Sequence, residues 1–500
     1  MKKTAALILI AMLLSSCGIC AAESENSWKL SGFDATEYRS WGENNFFLNM
    51  EEATGVHFEL TQYTDASEWK KAKASMKQGE ELPDVLFKAQ LTAGECMEML
   101  EKGVLVDLAP YLETCCPNFM KLAEKYPEYM RAITLPSGQI AALPYINETP
   151  SQNILWINKK FLSAVRMDVP QTIEDLEKTL RAFKTYDVNA NGNANDEIPL
   201  GYLGPFDLKF VAHAWGIICN DYNIAVRDGR VCFLTEMETF PEFIQWCAKM
   251  YREQLLDKNG FSTTDAFRTV TDDKTAQVYG VLITPMVTSI LPASWLDDYT
   301  AIMPFMYEGK QIYRDYGAGL IRGTFAVTSA CTDVEAMLRW VDYLYSEEGS
   351  TLESVGKKGV DYVVDGDGSW RLTEAASSDT YHTVSDTISS SAAAPGYSAD
   401  DFQRRFSNAS LAAMLDTVKE FNQYCVLPFP YTNLTEKEYE YITPLQNSIA
   451  YETDMRIAQW ILGEEAFSDE SLEALNRSLH EKGLDDFIGF WQKVYDSIGG

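Results

Sequence analysis

The first third of the chain alternates short strand patterns with helical ones. Apolar and polar residues alternate over 56–63, which predicts a half-buried strand, and helical spacing follows over 67–79. A short apolar run after a proline, at 83–87, predicts a further strand, and 94–112 predicts a helix, a turn and a helix. This order predicts an α/β fold with a mostly parallel sheet and helices on both of its faces.

Two polar residues follow the predicted strand at 83–87. Ligands of parallel sheets bind beyond the carboxyl ends of the strands. Lys88 and Gln90 are therefore candidates for the lip of a ligand cleft, where they either bond ligand hydroxyls or face solvent.

The same patterns continue through the rest of the chain. A strand leading into a helix is predicted at 153–165, and an amphipathic helix at 170–187 has Thr172 as its candidate N-terminal cap. A strand at 322–329 precedes a helix at 333–349, and the last 50 or so residues read as helical.

The length predicts two lobes rather than one hydrophobic core. About 480 residues follow the N-terminal segment, whereas single cores stop growing near about 300 residues. The short polar segment 146–152 suits a crossing between lobes, and 377–402, rich in Ser, Ala and Thr, is predicted to be a mobile connection. The predicted division is an N-terminal lobe of 28–147 and 283–327 and a C-terminal lobe of 150–280 and 330–500.

The N-terminus has the layout of an export signal. Lys2 and Lys3 precede an apolar run at 5–14, so residues 1–16 are predicted to be a signal peptide. An apolar run of this length is too short to remain as a transmembrane helix. No later segment is apolar for long enough to span a bilayer.

The signal ends in LSSC, residues 14–17, which resembles a bacterial lipobox. The resemblance implies that Cys17 carries lipid, that 17–27 is a tether, and that the protein is held on the outer face of the bacterial cell membrane. The alternative is cleavage after Ala21 or Ala22, which would release a freely secreted protein.

Composition narrows the range of partners. The chain has 42 basic and 73 acidic residues and a formal net charge of −31. Such a field repels nucleic acid and anionic polymers but not neutral ligands or divalent cations. The ten cysteines and four widely separated histidines show no zinc spacing.

Asp and Asn recur at alternate positions in 187–199, DVNANGNANDEIP. An EF-hand loop supplies calcium oxygens from positions 1, 3, 5, 7 and 12 and has glycine at position 6, which is Gly192 here. Position 12 is Ile198, so Asp196 or Glu197 must supply the closing carboxylate. The alternative is an Asx-rich turn without metal. The candidate calcium ligands are Asp187, Asn189, Asn191, Asn193, Asp196 and Glu197.

Stretches of sequence that span nearly the whole chain resemble those of one protein family, and they occur in the same order along the chain. They resemble the extracellular solute-binding lipoproteins of bacterial ABC importers, in particular the large oligosaccharide-binding branch that includes calcium-containing alginate-binding proteins. The lipobox, the Asp/Asn loop and the strand-to-helix FAVTSA stretch carry most of the resemblance. The matching stretches are 81–87, 137–145, 155–162, 169–200, 325–349 and 481–497.

The resemblance implies a periplasmic-binding-protein fold of type II, with two α/β lobes joined by crossing strands and a sugar bound between them. It implies a structural calcium, ABC permease subunits as partners, and a monomer. Tyr145 ends a strand at the predicted crossing, where the family places a stacking tyrosine. Trp215, Trp295 and Tyr397 are further candidates, and the alternative for each aromatic residue is core packing.

A binding protein has two alternatives among the classes of secreted protein. A secreted or surface-anchored glycan-active enzyme would need two carboxylates about 5–9.5 Å apart at a sugar site, and no motif singles out such a pair. GxSxG, HExxH and phosphate-loop motifs are missing from the sequence. A structural surface protein would bring repeats, which are also missing.

Overall fold

The structure is a computed structural model. It describes residues 27–35, 40–43, 45–150, 152–262, 264, 267, 277–315, 317, 319–377, 393–398 and 409–498. The predicted signal, Cys17 and most of the connection at 377–402 lie outside these residues. Within them, no helix combines the length and the hydropathy needed to cross a bilayer.

Strands and helices alternate along the chain. The strands are β1 (Ser27–Phe33), β2 (His57–Tyr63), β3 (Val85–Phe87), β4 (Leu143–Asn147), β5 (Ile154–Asn158), β6 (Ile198–Gly201), β7 (Ile224–Arg227), β8 (Arg230–Phe233), β9 (Tyr279–Thr284), β10 (Tyr299–Ala301), β11 (Met306–Tyr307), β12 (Lys310–Gln311), β13 (Tyr313–Arg314), β14 (Leu320–Val327), β15 (Tyr362–Val364), β16 (Trp370–Leu372), β17 (Gly396–Ser398) and β18 (Cys425–Val426). The α-helices are α1 (Asn45–Thr54), α2 (Ala66–Met76), α3 (Ala93–Glu101), α4 (Leu112–Cys115), α5 (Pro117–Lys125), α6 (Pro127–Ile133), α7 (Lys159–Val165), α8 (Ile173–Thr185), α9 (Gly204–Leu208), α10 (Phe240–Arg252), α11 (Val334–Tyr343), α12 (Glu347–Ser354), α13 (Ala409–Asn422), α14 (Glu436–Leu462), α15 (Asp469–Glu481) and α16 (Leu484–Ser497).

The first sheet has six strands in the order β17-β4-β14-β3-β1-β2. β1 pairs in parallel with β2 and with β3, and β17 pairs in parallel with β4. β14 lies between β3 and β4 and is antiparallel to both. The predicted parallel arrangement is therefore found in β1 to β3, and a late strand of the chain joins them to β4.

The second sheet has four strands in the order β10-β5-β9-β6. β5 is antiparallel to β10 and β9, and β6 is parallel to β9. The chain passes from the first sheet to the second between β4 and β5, at the segment predicted to be a crossing. It returns between β10 and β14.

Each sheet has its own hydrophobic core. Phe87 and Trp340, whose ring centroids lie 6.0 Å apart, belong to the core of the first sheet. Trp156 and Phe183 belong to that of the second, which also takes in residues of α13 to α16. We refer to the two sheets with their cores as the first and second lobes.

Two segments lie in a different lobe from the one predicted. β9 and β10, within or beside the predicted segment 283–327, pair in the second sheet, and Val287 and Leu296 are buried in its core. α11, α12 and β17 lie within the predicted segment 330–500 but belong to the first lobe, where α11 buries Met337 and Val341. An amphipathic pattern predicts which face of a helix is buried, but it does not predict which sheet covers that face.

Candidate functional site

The Asp/Asn loop joins α8 to β6. Asp187 accepts hydrogen bonds from the backbone N–H of Asn191 at 3.1 Å and of Gly192 at 2.8 Å. Gly192 has a φ of +90°, a left-handed conformation that favours glycine. The side-chain amides of Asn189 and Asn191 donate to Asp196 at 3.4 and 2.6 Å. The structure therefore gathers the predicted side chains into one closed loop.

Glu197 is the third acidic residue of this loop, after Asp187 and Asp196. It is 3% exposed, and its Oε1 accepts a hydrogen bond from the backbone N–H of Val188 at 2.9 Å. Its Oε2 is buried and has no hydrogen-bond partner in the described chain. Burial raises the pKa of this carboxyl group, although its hydrogen bonds to backbone N–H groups oppose the shift.

The donor chemistry of the loop fits calcium, which takes carboxylate, amide and carbonyl oxygens. In the described part of the chain, no three His, Cys, Asp or Glu side chains lie close enough together to form a metal site on their own. Asparagine side chains and backbone carbonyls would therefore have to complete the coordination. The unused buried oxygen of Glu197 is the observation that most favours a cation here.

A cavity of about 360 Å³ lies between the two lobes. Residues 90–94, beyond the carboxyl end of β3, form its wall on the first lobe, and α14 and α16 form the opposite wall. The lobes approach closely beside it, because a Cβ atom at Gly94 would lie 2.8 Å from the backbone nitrogen of Glu436. The polar and aromatic side chains that line the cavity include Gln90, Tyr222, Arg322, Tyr439, Gln446 and Trp491.

Two tyrosines of the second lobe border the cavity and remain partly exposed. Tyr222 is 37% and Tyr439 is 49% exposed. Burial, and then interactions with Tyr439 and Asp221, raise the pKa of Tyr222. Accessible aromatic rings suit the flat CH faces of a sugar.

Arg322 comes from β14 and reaches the cavity from the first lobe. Its Nη1 donates to the backbone oxygen of Thr432 at 2.7 Å, to Asn433 Oδ1 at 2.8 Å and to the backbone oxygen of Ala132 at 3.3 Å. These bonds hold the segment before α14 against the first lobe. Burial lowers the pKa of the guanidinium group, but an arginine remains charged at neutral pH.

Of the ligand residues predicted from the sequence, Gln90 lines this cavity and is exposed. Lys88 is instead completely buried, and its Nζ lies 2.7 Å from Asp34 Oδ2. The φ of Lys88 is +53°, so the chain turns sharply there and the side chain points inward rather than to the lip. Burial lowers the pKa of Lys88, and the neighbouring Asp34 opposes that shift.

Tyr145 and Tyr397 lie on neighbouring strands of the first sheet. Tyr145 is opposite Gly396, and Tyr397 is opposite Ile146. Because side chains alternate along a strand, the two tyrosines point to opposite faces of the sheet. Tyr397 packs on the core of the first lobe. Burial, and then the charge of Glu353, raise the pKa of Tyr145, and an interaction with Ser398 opposes the shift.

Trp215 and Trp295 belong to the second lobe. Trp215 is 8% exposed, and its ring centroid lies 5.6 Å from that of Phe243 and 5.7 Å from that of Trp246. It therefore packs in the core, which is the alternative considered for it. Trp295 is half-buried and packs against the same core.

Sequence reasoning found only Gln90 among the residues that line the cavity; the side chains that it missed include Tyr222, Arg322, Tyr439, Gln446 and Trp491. Trp491, on α16, lies in the last 50 or so residues, which were predicted only to be helical, whereas Tyr439 and Gln446, on α14, precede that segment. A usable signal was present, because Tyr439 and Gln446 share one face of a helix with Ile442 and are followed along the chain by exposed polar residues. The pattern does not predict that this face meets the other lobe.

Two lobes with a polar and aromatic cavity between them are the architecture of a solute-binding protein. The chain belongs to the bacterial extracellular solute-binding proteins, whose family model matches residues 48–350. This confirms the family predicted from the sequence. It also agrees with the two-lobe α/β fold.

One relative matches from end to end. The chain is 25% identical to the fructooligosaccharide ABC transporter substrate-binding protein FusA of Streptococcus pneumoniae serotype 4, over 99% of this chain and 98% of that protein. The structure of FusA in complex with kestose has a TM-score of 0.70 and 23% identity, and the match covers 94% of this chain and 99% of that one.

Two further proteins are similar to the chain. Lipoprotein LipO of Bacillus subtilis is 25% identical, over 53% of this chain and 52% of that protein. The alginate-binding protein AlgQ2, solved without calcium ion, has a TM-score of 0.67 and 19% identity, covering 94% of this chain and 98% of that one. The likeness to AlgQ2 shows a shared fold.

Proposed function

We propose that this protein captures an oligosaccharide between its two lobes and delivers it to the permease subunits of an ABC importer. The alignment with FusA carries this proposal, because it runs through both lobes and covers 98% of that protein. The name of FusA makes a fructooligosaccharide the first ligand to test. A monomer that meets its permease in the membrane is the arrangement we expect.

The cavity has the chemistry that such a ligand needs. Sugar rings offer flat apolar faces, which suit Tyr222 and Tyr439, and hydroxyl groups, which need both donors and acceptors. Arg322 is a donor, and Gln90 and Gln446 can each donate and accept. The whole chain is strongly acidic, so a neutral or weakly charged sugar fits better than a polyanion.

Both lobes contribute to the cavity, so a ligand contacts both only when they approach. Differential affinity for the closed arrangement then drives a hinge motion, and the permease would recognise the closed form. Arg322, on β14, bonds the segment before α14, and these bonds would keep that segment on the first lobe during the motion.

A glycan-active enzyme is the alternative to a binding protein. Among the described residues that line the cavity there is no aspartate or glutamate. A hydrolase of the usual kind would need two carboxylates there. The match with FusA along its whole length supports binding without turnover.

Titration calorimetry with purified protein tests the proposal. The panel is kestose, maltotriose, an alginate trisaccharide and the disaccharide Man1GlcNAc, and each sugar is recovered afterwards and analysed by chromatography. We expect saturable binding of at least one sugar and its recovery intact. A free sugar concentration of 100 times the dissociation constant should also raise the free energy of unfolding by about 2.7 kcal/mol. Cleavage of a bound sugar would support the enzyme instead.

The predicted stacking role of Tyr145 is tested in the same titration. Tyr145→Ala should weaken sugar binding by about 1–3 kcal/mol if this ring stacks on the ligand. Tyr439→Ala is the matched variant at the cavity. Wild-type affinity in Tyr145→Ala together with a loss in Tyr439→Ala would place the stacking surface on α14 instead of β4.

Two attachments complete the proposal. Lipid on Cys17 would hold the protein at the outer face of the membrane, and the half-length similarity to the lipoprotein LipO supports this. A structural calcium would be held by Asp187, Asn189, Asn191, the Asn193 carbonyl and Asp196 or Glu197. The loop geometry supports it, as does the existence of a FusA structure described as an EF-hand mutant.

A further inference from the structure

Two residues of the cavity have buried polar atoms without a partner. Gln446 is 5% exposed and Trp491 is 7% exposed. The Oε1 atom of Gln446 and the Nε1 atom of Trp491 are shielded from solvent and make no hydrogen bond within the described chain. An unmade hydrogen bond of this kind costs about 1–3 kcal/mol for each group, so it needs a reason.

The two groups are chemically complementary to a hydroxyl. Gln446 Oε1 is an acceptor, and Trp491 Nε1–H is a donor only. A hydroxyl group is both a donor and an acceptor, so a polyhydroxylated ligand can satisfy each of them. The last torsion of a glutamine side chain has a broad range, so the amide can turn toward a ligand with little cost.

The placement of the two side chains also favours a ligand. Gln446 is on α14, and shares one helical face with Tyr439, whose ring borders the same cavity. Trp491 is on α16, and its ring is fixed edge-on against Phe429 at 5.2 Å and Phe490 at 5.4 Å. The Nε1 atom is shielded from solvent in this arrangement of the lobes, so a ligand hydroxyl reaches it only after a rearrangement such as the proposed hinge motion.

We propose that Gln446 and Trp491 are specificity-determining residues of this cavity. A ligand hydroxyl donates to Gln446 Oε1, and Trp491 Nε1–H donates to a hydroxyl oxygen. This inference rests on the proposed function, and it identifies the side chains that distinguish one sugar from another. A sugar without a hydroxyl at these positions leaves both groups unpaired and is rejected, because the site recovers none of their desolvation cost.

The variants Gln446→Leu and Trp491→Phe test this inference. Each removes the unpaired group. Gln446→Leu keeps the volume of the side chain roughly constant, so the free variant should be as stable as wild type or more stable in urea unfolding. Trp491→Phe also removes a ring and leaves a cavity, so it should lower stability by about as much as Trp460→Phe, which removes the same ring from another buried site. The affinity of both test variants for the sugar of the panel that wild type binds best should fall by about 5- to 100-fold. A purely structural role of the two side chains would leave affinity unchanged.

Trp460→Phe is the matched control. Trp460 is on α14 and 1% exposed, and its Nε1 is also buried without a partner in the described chain, but it does not line the cavity. This variant should bind sugar with wild-type affinity.

The outcomes separate the two proposals. If wild type binds a sugar of the panel and both test variants bind it equally well, only the inference about Gln446 and Trp491 is wrong. If wild type binds none of the panel, the proposed function fails, and the inference fails with it.

Discussion

At the scale of single residues, the buried ion pair between Lys88 and Asp34 should make a large contribution to the free energy of unfolding. Both side chains are completely buried, and Trp41 Nε1 donates to the same carboxylate oxygen at 3.1 Å. Lys88→Met keeps most of the side-chain volume but removes the charge that faces Asp34. We expect it to lower the free energy of unfolding by about 3–5 kcal/mol, because a charge then stays buried without its ionic partner.

Urea unfolding followed by circular dichroism measures this loss. Lys102→Ala is the control, because Lys102 pairs with Glu98 at 2.7 Å on the surface, where an ion pair contributes at most about 1 kcal/mol. Equal losses in the two variants would contradict the assigned role of Lys88.

Glu353, on α12, should make stability depend on pH. It is 2% exposed, its Oε2 has no hydrogen-bond partner among the described residues, and burial raises its pKa to about 8. The folded protein therefore holds the proton of this carboxyl group more tightly than the unfolded chain does, whose pKa is near 4.5. The resulting contribution to stability is fully present below pH 4.5, and it is lost as the pH rises through about 8.

Glu353→Gln cannot titrate, so its stability relative to wild type should increase from pH 5 to pH 8. The slope should approach about 1.4 kcal/mol per pH unit. Chemical unfolding of both proteins across this range measures the difference. A constant difference would mean that Glu353 keeps one protonation state over the whole range.

At the scale of elements, the loop between α8 and β6 is where a metal would act. Calcium bound to the native loop adds to the free energy of unfolding, because the unfolded chain has no such site. We expect a chelator to lower the melting temperature of wild type and excess calcium to restore it, whereas Asp187→Ala should melt identically in both conditions. Differential scanning calorimetry measures this, and elemental analysis counts the bound metal.

Asp367→Ala is the control for this experiment. Asp367 also caps a turn, accepting from the backbone N–H of Ser369 at 3.0 Å. Its segment, DGDG at 365–368, is shorter than the Asp/Asn loop and has no asparagine. This variant should keep the calcium response of wild type. A wild type that contains no metal and ignores the chelator would show that the Asp/Asn run is only a turn.

Local elements could be predicted from the sequence because their signals are local. Thr172 was predicted to cap a helix, and its hydroxyl accepts from the backbone N–H of Asp175 at 3.1 Å. Lys88 was not placed correctly, because an inward turn at a positive φ depends on the distant Asp34. The cavity residues on α14 and α16 were missed for the same reason, since only the contact between lobes gives them a role.

At the scale of the whole molecule, the family places the protein outside the cell, and the predicted anchor would keep it there. We expect wild type in the membrane fraction and Cys17→Ala in the culture medium, because one cysteine would carry the lipid. Cys20→Ala, three residues further on, is the control and should stay with the membrane. Fractionation and immunoblotting measure the distribution, and a Cys17→Ala protein that remains bound would point to another tether.

The position of β14 has a consequence for how such a chain matures. β14 is the strand that joins β3 to β4, yet it begins at residue 320, after the whole second sheet has been made. A chain that emerges N-terminus first therefore leaves the facing edges of β3 and β4 unpaired until this strand arrives, and such edges promote association with other chains. The sheet that contains the N-terminus is thus completed after the second sheet, and a chain stalled before residue 320 cannot join β3 to β4.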